Sequence, residues 1–123
     1  MPIVRASEGH LYEAHGARFT SYAATARGSK RLCAWRLELP PQSHGVAHRP
    51  SEEEIVLVLE GAINCSLDGV EIELDPGDVV VVGAGSELRV DTGAVCASAW
   101  VTTTSGLEAE LSDGSRFAPP WAR

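Results

Sequence analysis

Hydrophobic and polar positions alternate most cleanly over residues 31–39. Cys33, Trp35, Leu37 and Leu39 fall on one parity, and Arg36 and Glu38 on the other. This is the two-residue period of a strand with one buried face, and it sets Trp35 on the inner side. Residues 19–24 have strand character and run into a turn at Ala26-Arg27-Gly28-Ser29. An unbroken apolar run, Ile55 to Leu59, stops at Glu60-Gly61. Residues 62–67 predict a strand that turns at Asp68-Gly69, a strong hairpin signal, and returns over 70–74. Residues 79–82 are all valine, which suits a strand covered on both sides. Residues 88–90 and 95–103 continue the pattern. Residues 107–111 and 115–118 flank Asp113-Gly114 as a last hairpin or arm, and Pro119-Pro120-Trp121 closes the chain. Before residue 18 there is little periodicity. His10, Tyr12, Glu13 and His15 crowd together there, which predicts a polar arm lying over the rest. No segment shows a helical period, and turn signals recur about every ten residues. The expectation is an all-β domain, a small antiparallel barrel or jelly roll. Residues 1–18 would form the arm, 19–104 the barrel and 105–123 a C-terminal hairpin or arm.

Composition narrows the function. A chain of 123 residues makes one domain, and its 44% hydrophobic content permits a packed core. Acidic residues outnumber basic ones 17 to 10, and the net charge of −7 repels phosphate backbones, so no nucleic-acid partner is expected. No apolar run is long enough to span a bilayer, and MPIVRASEGH lacks the apolar core of a signal peptide. A cytoplasmic protein without a membrane partner is therefore expected. Cys33, Cys65 and Cys96 are odd in number and form no CxxC pair, which argues against a disulfide framework or a structural zinc site. They read as buried apolar thiols in a reducing compartment.

The stretch from Pro40 to Gly61 organises the chain. A proline-bounded turn leads to His48, Glu54 follows, and the apolar run begins at once. A loop that delivers a histidine beside a strand starting with a carboxylate builds a site inside a barrel wall. The second half answers with Leu74-Asp75-Pro76-Gly77-Asp78, the valines, and Gly83-Ala84-Gly85. Together these stretches resemble the two sequence motifs of the cupin superfamily. In the first motif Gln42 stands at the opening glycine, His48 at the first histidine, Pro50 at the second, Glu54 at the glutamate and Gly61 at the closing glycine. In the second, Gly77 and Gly85 match, Gly83 replaces the proline, Leu88 the histidine and Thr92 the asparagine. The resemblance covers residues 40–92 and implies a single-domain cupin-type β-barrel, commonly a homodimer. A partner would cover an edge through residues 19–24 or the terminal arm with Trp121.

The departures from the motif shape the chemistry. Cupin metal sites typically use three histidines and a glutamate, and only His48 and Glu54 stand here. Two protein ligands hold a first-row metal weakly. His44 would add a third nitrogen if its loop folds inward, and otherwise it is an exposed turn residue. Pro50 cannot ligate, and Leu88 makes its wall apolar. The expected cofactor state is none, with a weakly bound divalent metal at His48, Glu54 and His44 as the alternative. A glutamate in an apolar cavity holds its proton toward neutrality, and an imidazole beside it exchanges one at physiological pH. His48 and Glu54 are thus the candidate catalytic pair. Trp35, His44, Leu88 and Trp100 are the expected contacts to a small-molecule ligand. Implied is an enzyme of bacterial-type metabolism performing isomerisation, dehydration or cyclisation. The alternatives are a non-catalytic binding or sensing cupin, and a metal-dependent oxygenase, lyase or cyclase with an incomplete ligand set. The structural alternative for the pair itself is a buried contact that holds two strands together.

Overall fold

The computed structural model describes residues 2–123. Twelve strands run in order: β1 (His10–Ala14), β2 (Ala17–Ala23), β3 (Leu32–Leu39), β4 (His48–Pro50), β5 (Glu54–Glu60), β6 (Ile63–Leu67), β7 (Val70–Leu74), β8 (Val79–Val82), β9 (Leu88–Asp91), β10 (Ala97–Thr104), β11 (Ala109–Leu111) and β12 (Arg116–Phe117). They form two six-stranded antiparallel sheets, ordered β1-β2-β3-β10-β5-β8 and β12-β11-β4-β9-β6-β7. The sheets close on each other as a jelly roll, and the inward parity of each supplies the core.

The alternation read over residues 31–39 holds in β3. Cys33, Trp35, Leu37 and Leu39 are buried, while Arg36 and Glu38 are half-buried on the other side and pair with each other at 3.7 Å. β10 lies against both β3 and β5 and turns Ala97, Ala99, Val101 and Thr103 inward. The Asp68-Gly69 turn joins β6 to β7, with both residues at positive φ. At the β5–β6 joint Gly61 takes φ +73°, and a Cβ there would strike the Cys96 carbonyl and Ala97, so the closing glycine is required twice over.

Three expectations are corrected. Residues 10–14 are not an arm. They form β1 and pair with β2 through a two-residue turn at His15-Gly16, where both residues adopt positive φ as such tight hairpins demand. The valines of β8 are not covered on both sides. β8 is the edge of its sheet, and Val79 and Val81 are exposed while Val80 and Val82 turn inward. Cys96 lies exposed in the turn before β10, whereas Cys33 and Cys65 are buried and burial pushes their thiols up.

The two segments expected to meet a partner are used within the chain. β2 is paired on both sides, by β1 and β3. The 3-10 turn Pro120–Ala122 folds back so that Trp121 is buried and stacks on Phe19, with centroids 3.8 Å apart and planes 11° apart. The Cys33 thiol reaches the Ala122 carbonyl at 3.2 Å and ties this turn to β3. Among the described residues no helix is long and apolar enough to cross a membrane.

Candidate functional site

The jelly roll encloses a cavity of about 140 Å³, set among the inward faces of both sheets. Its floor and walls are apolar: Phe19, Leu37, Val56, Val90, Val101 and Leu107. Four positions around it match the ligand positions of the motif. His48 and Pro50 on β4, Glu54 at the start of β5 and Leu88 on β9 all line the same space. His48 stands directly opposite Leu88 across the β4–β9 pair. The spacing read along the chain therefore records a real convergence in space, and two of the four converging side chains carry no ligating atom.

Several contacts hold these strands in place. Thr92 is 4% exposed and works on both sides of the loop that precedes β4. Its hydroxyl donates to the Pro40 carbonyl at 2.6 Å and accepts from the Ser43 amide at 2.9 Å. The Gly45 amide donates to Asp91 at 2.8 Å, and the bare Gly45 backbone lies so close to Val90 that a Cβ would collide with the Val90 carbonyl. The loop is thereby stitched to β9 and enters β4 in one register. At the far end of β4 the Gly85 amide donates to the Pro50 carbonyl at 2.8 Å, and Arg49 donates to the Gly85 carbonyl at 2.7 Å. Thr103 donates to the Glu53 carbonyl at 2.8 Å and anchors the chain one residue before Glu54.

Glu54 is 5% exposed. Desolvation by burial pushes its carboxyl up to about 7, because an ion in an apolar enclosure loses hydration that nothing around it replaces. His48 is half-buried, and its Nδ1 lies 2.9 Å from the Val46 carbonyl. A carbonyl only accepts, so Nδ1 bears a proton in this contact, and Nε2 has no hydrogen-bond partner among the described residues. Of the direct or water-bridged contact expected between the pair, the direct form is not made. Glu54 and His48 share the cavity, but neither hydrogen-bonds to the other.

The sequence-predicted ligand contacts divide. Trp35 and Leu88 line the cavity and are buried. Trp35 also holds the one buried side-chain polar atom without a hydrogen-bond partner among the described residues, its indole Nε1. His44 is exposed and outside the cavity wall. Its backbone bridges to Asp91, and that pairing turns the neighbours Ser43 and Gly45 inward and His44 outward. Trp100 is likewise outside, since Val101 takes the inward parity of β10. Its ring stacks against Tyr22 on the outer face, with centroids 5.7 Å apart. Sequence reasoning missed His15, Phe19, Phe117 and Trp121, which complete the lining. His15 and Phe117 meet with ring centroids 6.4 Å apart. The only hint in the sequence was the crowding of His10, Tyr12, Glu13 and His15, which read as an arm.

The donor set does not fit a tightly held metal. Nowhere among the described residues do three His, Cys, Asp or Glu side chains come together. At the motif positions only His48 and Glu54 could ligate, with Pro50 and Leu88 filling the other two places.

Comparison with known proteins agrees with this geometry. The cupin domain family matches residues 35–94, which runs from Trp35 past Thr92 and includes all four converging positions. Among solved structures, the polyketide cyclase RemF from Streptomyces resistomycificus superposes with a TM-score of 0.82 at 18% identity, covering 98% of this chain and 88% of that one. KdgF from a Halomonas species gives 0.73 at 17% identity, covering 84% and 94%. A cupin sugar phosphate isomerase from Silicibacter pomeroyi gives 0.72 at 17% identity, covering 98% and 95%. No curated protein matches the sequence. Over residues 35–94 the chain matches the cupin domain family, and it has the cupin fold. At these identities the structural likeness concerns the fold.

Proposed function

We propose that this cupin is a small-molecule enzyme that moves protons without a tightly bound metal, in an isomerisation, dehydration or cyclisation. The observation that carries the reading is Glu54, a carboxyl near 7 in an apolar cavity, facing the same space as His48. At neutral pH such a group is divided between its two forms, so it takes a proton from carbon in one step and returns it in the next. In the simplest case Glu54 removes a proton from a carbon next to a carbonyl and leaves an enolate. Its protonated form then delivers that proton to another carbon, so no proton is gained or lost overall. The free Nε2 of His48 accepts or returns a proton at oxygen. That a polyketide cyclase and a sugar phosphate isomerase share the fold supports chemistry of this kind in such a barrel.

A binding module is the second reading, favoured by the absence of a direct hydrogen bond between His48 and Glu54, which leaves the two groups unpaired. One experiment separates the two. Enolisable cyclic ketones, led by 1-tetralone, are incubated with protein in D2O near neutrality, and deuterium uptake next to the carbonyl is followed by proton NMR. Exchange well above buffer, unaffected by chelator and reduced at least about a hundredfold in Glu54→Gln, is the expected outcome. Saturable ketone binding with exchange no faster than buffer selects the binding module. Exchange abolished by chelator overturns the metal-independent mechanism.

A further inference from the structure

Two different parts of the chain build the cavity. His48, Pro50, Glu54 and Leu88 come from residues 35–94, the stretch that the cupin domain family matches. His15, Phe19, Phe117 and Trp121 line the same space and all lie outside that stretch. They belong to the β1–β2 hairpin, to β12 and to the last turn. The first part carries the buried carboxyl and the half-buried imidazole. The second is a wall of rings.

These rings are held in place without being used up. Trp121 is buried and stacks on Phe19, with centroids 3.8 Å apart, which fixes the Phe19 ring. Phe19 itself is only half-buried, as is Phe117, and His15 is exposed. His15 stands at the first position of the β1–β2 turn, at φ +53°, where asparagine or glycine is the usual choice. Its ring meets Phe117 as a tilted pair, with 6.4 Å between centroids and 59° between planes. Phe19, Phe117 and His15 all line the cavity and retain accessible surface, so an entering molecule can meet their rings.

The lining also says what such a molecule is. No lysine or arginine lines the cavity, and its one acidic side chain is Glu54. A phosphate or carboxylate entering here would lose its hydration with no cation to replace it. A sugar would bring several hydroxyls to a wall whose polar side chains are few: Ser43, His15, His48 and Glu54. A saturated apolar molecule gains only from the area it buries, whereas a flat aromatic ring adds offset-stacked and edge-to-face contacts with the wall. The exposed lining residues His15 and Val46 mark the opening. A cavity of about 140 Å³ encloses one ring and lets a second, fused ring reach toward that opening.

We infer that the aromatic wall brought in from outside the family-matched stretch, Phe19, Phe117 and His15, is the specificity element of this cavity and selects a neutral molecule with a planar aromatic ring. The inference rests on the cavity being a small-molecule site, as proposed above, but not on any turnover in it. The ligand ring packs against Phe19 and Phe117 with His15 at the opening, and the rest of the molecule shares the cavity with Glu54 and His48. Recognition and acid–base chemistry then come from separate parts of the chain.

The test compares three compounds by calorimetric titration of native protein. They are 1-tetralone, 1-decalone, which has the same two fused rings and carbonyl but no aromatic ring, and 1-naphthoate, which is aromatic but anionic. Burial of area alone favours decalone, whose apolar surface is the larger. The expected result is the reverse, with tetralone bound about fivefold tighter than decalone or better, and no binding of naphthoate. Phe117 ends a two-residue edge strand, so leucine there keeps an apolar side chain at little risk to the fold. Phe117→Leu should weaken tetralone about fivefold and change decalone less than about twofold. Decalone bound as tightly as tetralone, binding of neither ketone, or naphthoate bound as tightly as tetralone overturns the inference. So does an equal loss of both ketones in folded Phe117→Leu, which would mark a purely structural role. The native-protein comparison decides even if the variant folds poorly. Failure here is distinct from failure of the proposed chemistry. Tetralone-selective binding without deuterium exchange removes only the enzyme, and exchange of equal efficiency on both ketones removes only the aromatic selection.

Discussion

Glu54 concentrates at one residue a cost that most proteins avoid. Its folded-state carboxyl lies near 7, against an ordinary value of 4.5, because burial penalises the charged form. The folded state therefore holds this proton more tightly than the unfolded chain does. Stability from this source is fully present below about 4.5, declines as pH rises, and is lost once pH passes about 7. The difference amounts to about 3 kcal/mol, taken from the separation of the two values. Glu54→Gln removes the titration, so its melting temperature relative to native protein should rise by several degrees between pH 4.5 and pH 8. Melting curves at four or five pH values check this. A constant offset between the two proteins across that range would show that Glu54 ionises freely in the folded state.

At the scale of the element, β4 and β9 pair side by side and, with the start of β5, bring together the four positions that the motif gives to metal ligands. His48 on β4 opposes Leu88 on β9, and Pro50 and Glu54 look into the same space. The backbone scaffold is intact, pinned by Thr92, Gly45 and Arg49. Only the side chains at two positions withhold ligands. Native protein dialysed against chelator and then against a trace of zinc should hold clearly less than one ion per chain by elemental analysis. The double variant Pro50→His, Leu88→His should hold about one, with affinity falling in acid as the imidazoles protonate. Stoichiometric metal that survives dialysis in native protein would mean that other groups complete the shell, and would return the metal-dependent alternative to the front.

For the whole molecule, the chain ends matter as much as the motif. Trp121 comes from the last turn and stacks on Phe19 in the core, while β1 widens the first sheet. Trp121→Ala should cost about 3–5 kcal/mol, the usual range for a large buried aromatic, and open the cavity on that side. Chemical denaturation measures it, and a loss below 1 kcal/mol would show that the terminal turn only rests on the barrel. A homodimer, as the resemblance implies, would need an edge other than β2, which is paired on both sides within the chain. β8 is an edge of four valines with Val79 and Val81 bare, the kind of edge that proteins cover. Pairing of β8 with β8 of a second copy predicts twice 13.0 kDa by light scattering at micromolar concentration, and the monomer mass for Val81→Lys. Native protein at the monomer mass would remove the dimer, and a Val81→Lys variant that stays dimeric would move the interface elsewhere.

What the sequence determined by itself was whatever rests on local period and on spacing. Clean alternation over residues 31–39 placed Trp35 inward, and the motif spacing placed His48, Pro50, Glu54 and Leu88 around one cavity. Where the pattern carries no parity, the chain alone was silent. Residues 95–103 are apolar or small on both parities, so only pairing with β3 and β5 decided that Val101 faces in and Trp100 faces out. Four valines in a row say nothing about which two are covered, and the sheet order decided it. His44 was left to one backbone bridge with Asp91. His15, Phe117 and Trp121 reach the cavity from the two ends of the chain, and no local pattern encodes that return, because it depends on which surfaces the closed sheets leave to be covered. The tertiary structure alone set the environment of Glu54. A carboxylate's affinity for its proton is a property of the space around it, and that space is built by residues from nearly every strand.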